Sequence, residues 1–202
     1  MDKVLSGLKK FQQLIYPLHQ TRFEELAEKQ DPNILFITCS DSRVDPNLIT
    51  QTDPGGLFIC RNAGNIIPPH SNETGGMTAS IEYAVSVLKV KHIIICGHSH
   101  CGAMKAAMNP ESVKNLPHVK VWLDHCRGAT ETVSHKYGCL NEDHLDEVTK
   151  QNIVLQLHHL KTHPAVFSML SAGDLALHGW MYNIKSGEVE GYNEDKKEFE
   201  IL

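Results

Sequence analysis

Apolar positions along the chain change their period several times, and each change marks an element. Over residues 3–29, Leu5, Leu8, Phe11, Leu14 and Ile15 recur at three- and four-residue spacing, and Leu18, Phe23 and Leu26 continue the pattern less regularly. That spacing predicts a helix. Asp31-Pro32 ends it, because proline disfavours helical geometry in the residue before it. The run Ile34-Leu35-Phe36-Ile37 is apolar throughout and reads as a buried strand, and residues 57–60 and 92–96 are runs of the same kind. Asp45-Pro46 predicts the start of a short helix, with proline in its first turn. Helical patterns return at 77–88, where Ile81, Ala84, Val85 and Leu88 share a face, and again from 103 to 108. The second half reads as helices over 119–134, 143–161 and 164–170, then a strand over 175–184. A turn at Ser186-Gly187 leads to a hairpin arm over 188–192, and the charged tail 194–202 reads as a solvated end.

Strand runs alternate with helical runs, and the run at 92–96 is apolar on both faces, as strands of a covered parallel sheet are. The predicted fold class is therefore α/β with right-handed crossovers. We expect a mainly parallel central β-sheet, about four parallel strands plus an edge strand, flanked by helices. A single domain over 1–202 with an N-terminal helical arm over 1–30 fits the pattern. In such sheets functional groups gather at the carboxyl ends of the strands. Three short polar motifs lie there, at 39–43, 61–65 and 97–102.

Composition narrows the class. The chain has 202 residues, 41% apolar and 21% charged, with a net charge of −5. These values exclude a disordered chain or a coiled coil, and the negative charge argues against nucleic acid as a partner. No apolar stretch is long enough for a membrane span. The first twenty residues carry charges inside their apolar pattern and lack a signal peptide's apolar core, so the expected compartment is the cytosol. Six cysteines in a cytosolic chain do not read as a disulfide framework. Together with thirteen histidines, they raise the expectation of zinc.

The spacings sharpen that expectation. Cys39-x-Asp41-x-Arg43 and His98-x-x-Cys101 sit at the ends of two predicted strands. Cys39, His98 and Cys101 would give zinc two thiolates and an imidazole, leaving the fourth position open as catalytic sites do. Asp41 could close that position, or stand outside it, gripped by Arg43 in a bidentate contact. Two thiolates neutralise the dication and donate more charge than imidazoles, so activity is expected to favour mildly alkaline pH. A closed structural zinc site is the bland alternative. Cys60, Cys96, Cys126 and Cys139 read as inert, and His92, His125, His158, His159 and His163 as histidines without a metal. The signature of a zinc deaminase is absent, and so is a redox C-x-x-C pair.

The segments CSDSRVDP at 39–46, RNAGN at 61–65, IEYAV at 81–85 and CGHSHCGAM at 96–104 closely resemble the β-class carbonic anhydrases. HGWMYNIKSGEVEGY at 178–192 extends the resemblance more weakly. It implies reversible hydration of carbon dioxide to bicarbonate and a proton, with one zinc ion per chain. Cys39, His98 and Cys101 match the zinc ligands. Asp41 and Arg43 match the catalytic dyad that orients zinc-bound hydroxide for its attack on carbon dioxide. Gly102 matches the glycine whose N–H helps bind bicarbonate. Phe58, Ala63 and Tyr83 match positions lining the carbon dioxide pocket, and Gln30 a glutamine that reaches the substrate from the partner subunit. His100 and Tyr83 are the candidates for a proton shuttle. The resemblance also implies a homodimer or homotetramer in which the helical arm packs over its partner, with no nucleic acid and no membrane span.

Relatives with the same zinc site hydrolyse carbon disulfide or carbonyl sulfide. That is the alternative activity, and a non-catalytic zinc-stabilised scaffold is the third reading. One branch of the family has a tryptophan three residues before the first cysteine ligand, forming a regulatory bicarbonate pocket with an arginine and a tyrosine. Phe36 stands there in this chain, with Arg61 and Tyr182 at the other two positions. The missing indole donor implies the branch in which Asp41 stays off the metal at neutral pH.

Overall fold

A computed structural model describes residues 1–202. It comprises two compact units, Met1–Asp31 and Pro32–Leu202.

In the first unit the predicted single helix is broken. α1 spans Asp2–Lys10, a π turn covers Phe11–Ile15, a 3₁₀ turn covers Tyr16–His19, and α2 spans Gln20–Glu28. Pro17 is the cause, since it has no N–H and its ring collides with the preceding turn of an α-helix. In a straight helix Phe11 and Phe23 would lie about 18 Å apart. Their rings are 6.0 Å apart, and Tyr16 stacks on Phe23 at 5.4 Å, so the chain bends sharply at the proline. Val4, Leu5, Leu8, Leu14, Ile15 and Leu18 of this unit are exposed.

The second unit is built on a six-stranded sheet in the order β2-β1-β3-β4-β5-β6. The strands are β1 (Ile34–Cys39), β2 (Leu57–Asn62), β3 (His92–His98), β4 (Ala176–Tyr182), β5 (Val189–Asn193) and β6 (Glu198–Ile201). β2, β1, β3 and β4 run parallel, and β5 and β6 add antiparallel. Four parallel strands match expectation, but the edge holds two strands rather than one. The tail taken for a solvated end supplies β6, in which Phe199 packs against Tyr192 with ring centroids 5.2 Å apart. Its alternation of charged and apolar residues suits an edge strand with one face in water.

Helices fill the connections: α3 (Pro46–Thr50), α4 (Gly76–Ser86), α5 (Gly102–Met108), α6 (Pro117–Leu123), α7 (Arg127–Tyr137), α8 (Leu145–Lys161) and α9 (Pro164–Ser171). The helix expected over 119–134 is thus two helices joined by a 3₁₀ turn at Asp124–Cys126. α8 buries a stripe of Val148, Thr149, Asn152, Ile153, Gln156, Leu157 and Leu160, the spacing of one helical face. It lies close on β3 and β4 because two glycines admit it. A Cβ on Gly97 would stand 2.9 Å from Ile153 Cδ1, and one on Gly179 2.7 Å from Ile153 Cγ2. Leu35, Ile37, Ile93 and Ile95 join Ile153 and Leu160 in the main core. A second core of Ile66, Met104, Leu123, Cys126, Val133 and Val148 surrounds Cys39 and Cys101.

Candidate metal centre

Cys39 is the last residue of β1, His98 the last of β3, and Cys101 the residue that caps the start of α5. β1 and β3 are hydrogen-bonded neighbours, so their carboxyl ends bring residues 59 positions apart in sequence side by side. The three ligand atoms lie within 4.8 Å of one another, and all three residues are buried. Sγ of Cys39 and Sγ of Cys101 are 4.0 Å apart. A tetrahedral zinc with Zn–S bonds of about 2.3 Å needs a sulfur–sulfur edge of about 3.8 Å. His98 is fully buried, and its Nδ1–H donates to the Ser99 carbonyl at 2.9 Å. A carbonyl can only accept, so the free lone pair sits on Nε2, which has no hydrogen-bond partner. An orphaned imidazole nitrogen between two thiols is a donor set that fits zinc. Of the two sulfurs, Cys39 is pulled well below the ordinary thiol range, chiefly by the hydrogen bond from Cys101 and further by His98 and the Gly64 N–H.

Asp41 stands beside this cluster. Arg43 Nε donates to Oδ1 at 2.9 Å, Arg43 Nη2 to Oδ2 at 2.7 Å, and the Arg43 backbone N–H to Oδ1 at 3.0 Å. The hydrogen bonds from Arg43 hold the carboxyl well below the usual carboxylate range. Asp41 Oδ2 lies 3.9 Å from His98 Nε2. Arg43 Nη2 also donates to the His100 carbonyl at 3.1 Å, which ties the β1 loop to the turn between His98 and Cys101. His100 takes φ +54° there, a left-handed conformation that few non-glycine residues adopt. Arg61 donates from Nε to the Cys39 carbonyl at 3.0 Å and from Nη2 to the Asp41 carbonyl at 2.7 Å. It therefore braces the loop that carries both groups.

Residues 34–189 match the family model described as carbonic anhydrase. The carbonic anhydrase of Synechocystis sp. is 48% identical over 195 residues, covering 96% of this chain and 71% of the relative. The chain belongs to the β-carbonic anhydrases. The solved structure of the β-carbonic anhydrase CcaA superposes with a TM-score of 0.97 at 46% identity, covering 100% of this chain and 99% of that one. A structure from work on two tetrameric β-carbonic anhydrases of Sordaria macrospora gives a TM-score of 0.77 at 30% identity, covering 94% and 92%.

In this β-carbonic anhydrase the residues expected to touch substrate fall into three groups. Phe58 and Tyr83 meet with ring centroids 5.9 Å apart at a 37° tilt, and both are partly exposed. Ala63 and Gly102 are exposed. A Cβ on Gly102 would meet no atom within 4 Å, and the residue needs no left-handed backbone, so neither sterics nor geometry demands glycine there. Gly102 lines a groove of about 490 Å³ that Lys105 and Glu142 flank as an ion pair at 2.6 Å. Gln30 is exposed and belongs to the first unit. Phe36 is fully buried, edge-on to Trp180 at 6.0 Å, on the sheet face that Tyr182 also joins.

Sequence reading passed over Trp122, Asn152 and Gln156. Trp122 Nε1–H donates to the Ala63 carbonyl at 2.9 Å. Asn152 Nδ2–H donates to the Gly64 carbonyl at 3.1 Å, and Gln156 Nε2–H to Asn152 Oδ1 at 2.8 Å. The signal was available for two of them, since Asn152 and Gln156 occupy α8 positions whose neighbours on the same face are apolar. A polar group at such a position must find a partner.

Proposed function

We propose that this chain is a zinc-dependent enzyme that interconverts carbon dioxide with bicarbonate and a proton. The convergence of Cys39 Sγ, His98 Nε2 and Cys101 Sγ in one buried cluster beside the Arg43-held Asp41 carboxylate carries the reading. When bound, zinc supplies the Lewis acidity that makes water a nucleophile near neutral pH. The protein's own groups do the rest. Asp41, ionised and fixed by Arg43, accepts the O–H of the attacking water and aims its lone pair. Phe58, Ala63 and Tyr83 offer apolar walls suited to a small molecule without charge. The Gly102 N–H, at the start of α5 with open space above it, donates to an oxygen of bicarbonate. Gln30 contributes a carboxamide from a partner chain.

The reading includes a homodimer or homotetramer. Leu5, Leu8, Leu14, Ile15 and Leu18 are each exposed on the first unit, and packing them against a second copy of the chain would remove that apolar surface from water. No helix is long and apolar enough to cross a membrane, and all six cysteines are free, as suits the cytosol.

Stopped-flow hydration of carbon dioxide at pH 7 and 8.5, on protein of measured zinc content, tests the proposal. Rapid hydration at one zinc per chain is expected. Full zinc with no hydration at either pH would overturn it.

A further inference from the structure

Side chains hold the backbone of the loop after β2 at Ala63, Gly64, Ile66 and Ile67. Trp122 Nε1–H binds the Ala63 carbonyl at 2.9 Å, and Asn152 Nδ2–H the Gly64 carbonyl at 3.1 Å. Asn62 binds both the N–H and the carbonyl of Ile66, at 2.7 and 2.8 Å. The Ile67 N–H donates to Gln156 Oε1 at 2.7 Å, and His159 Nδ1 binds the Ile67 carbonyl at 2.8 Å. Within this held loop, the Gly64 N–H points to Cys39 Sγ at 3.4 Å.

The geometry joins two of these contacts through one peptide group. The Ala63 carbonyl and the Gly64 N–H are the two ends of a single planar amide. The indole N–H of Trp122 pulls on the oxygen, and the amide N–H at the other end meets the sulfur. A hydrogen bond to the oxygen polarises the amide and strengthens its N–H as a donor. Asn152 holds the next peptide in the same way. Gly64 itself sits at φ +83°, and a Cβ there would stand 2.9 Å from Met104 Cε and 3.1 Å from Ala103 Cβ. The loop is thus pressed against α5, whose first turn follows the ligand Cys101.

We propose that Trp122 and Asn152 are positioning residues for the metal thiolate of Cys39, fixing the peptides on either side of Gly64 so that its N–H stays on the sulfur. This rests on Cys39, His98 and Cys101 being the metal site. An N–H donor on a coordinated thiolate withdraws charge from sulfur, leaving the metal a stronger Lewis acid. Partners that orient a metal's ligands typically change affinity or activity by about 10- to 100-fold when lost. Trp122 and Asn152 act from α6 and α8, distant in sequence from every ligand.

Cobalt substitution reads the effect directly, because its thiolate-to-metal charge-transfer band reports the energy of the sulfur lone pairs. The Trp122→Phe variant keeps an aromatic ring and removes the N–H, and Asn152→Ala removes the neighbouring clamp. Both are expected to shift that band to longer wavelength, to weaken zinc in a chelator competition, and to lower kcat more than KM. Leu160→Ala, on the same helix as Asn152 but facing the main core, should lower thermal stability and leave the band in place. An unchanged band in Trp122→Phe and Asn152→Ala, with stability alone reduced, would overturn the proposal. In wild-type protein loaded with ¹¹³Cd, a scalar coupling between the metal and the Gly64 amide proton is expected. Its absence would overturn the proposal without any variant. A wild-type protein with no thiolate-to-cobalt band at all would instead remove the metal assignment on which it rests.

Discussion

Arg43 grips both oxygens of Asp41, Nε on Oδ1 at 2.9 Å and Nη2 on Oδ2 at 2.7 Å, and the carboxylate so held stands 3.9 Å from Nε2 of His98. Such a fork fixes the carboxylate plane as well as its position, which a single ammonium cannot do. Asp41 is close enough to the cluster to orient a water there, yet its lone pairs are already shared with a cation. Asp41→Ala is therefore expected to retain one zinc per chain while turnover falls by about 10²-fold or more, the usual scale for a lost acid–base group. Arg43→Lys should fall between that variant and wild type. Metal analysis alongside stopped-flow hydration checks both, and a fully active Asp41→Ala protein would refute the role.

The six cysteines should divide cleanly by reactivity. Cys139 is exposed, while the other five are buried. Burial pushes the thiols of Cys96 and Cys126 up to about 12, so at pH 8 only about one in 10⁴ of each is the reactive thiolate. Alkylation of zinc-loaded protein at pH 8, read by peptide mass spectrometry, should therefore mark Cys139 alone. Removing zinc with a chelator should add Cys39, whose thiol is held well below its ordinary range. Cys101→Ser should lose zinc and activity together, since it leaves one thiolate and one imidazole. Prompt labelling of Cys39 in the zinc-loaded protein would contradict the metal assignment.

Gly102 separates folding from catalysis. Nothing lies within 4 Å of a Cβ placed there, and no left-handed backbone is involved. Gly102→Ala should thus match or slightly exceed the wild-type Tm, because alanine is the better helix former by up to about 1 kcal/mol. The added methyl points into open space next to Cys101, where substrate is proposed to bind. A loss of about tenfold in kcat/KM at unchanged Tm is expected. Unchanged kcat/KM would remove Gly102 from the substrate site.

Legibility in the sequence followed the reach of the interactions. Cys39 and His98 are readable because each closes a strand that begins as an apolar run and a parallel sheet puts such ends together, and Cys101 because it follows His98 by three residues in a tight turn. Asp41 and Arg43 are readable because their contact spans two residues. The break at Pro17 was masked by apolar spacing that continues through it from Ile15 to Phe23. β6 was masked by charge, since Glu198 and Glu200 outweigh the alternation of Phe199 and Ile201 when the tail is read alone. Trp122 and Asn152 were harder still. Their partners are carbonyls 59 and 88 positions away, and a backbone carbonyl leaves no mark on composition or spacing.

Acid should weaken the fold through two histidines outside the metal cluster. His159 Nδ1 binds the Ile67 carbonyl at 2.8 Å, and His163 Nε2 the Pro68 carbonyl at 3.0 Å. Burial is the largest influence on both and pushes each below the ordinary histidine range, with the carbonyl contacts opposing it. The unfolded chain takes up protons near pH 6.5, whereas the folded chain resists until lower pH. The unfolded state therefore binds more protons in that window, and stability must fall as pH falls. The contribution is complete above about pH 6.5 and is lost progressively below it, down through the lowered folded values. Zinc release in acid adds its own loss, so the informative quantity is the difference between variant and wild type measured on zinc-free protein. His163→Gln sets its amide N–H near the position of the imidazole Nε2, within reach of the Pro68 carbonyl, but cannot ionise. Its Tm should decline less than that of wild type between pH 7.5 and 5.5, even if it starts lower. Parallel curves for the two proteins would show that His163 does not couple folding to protons.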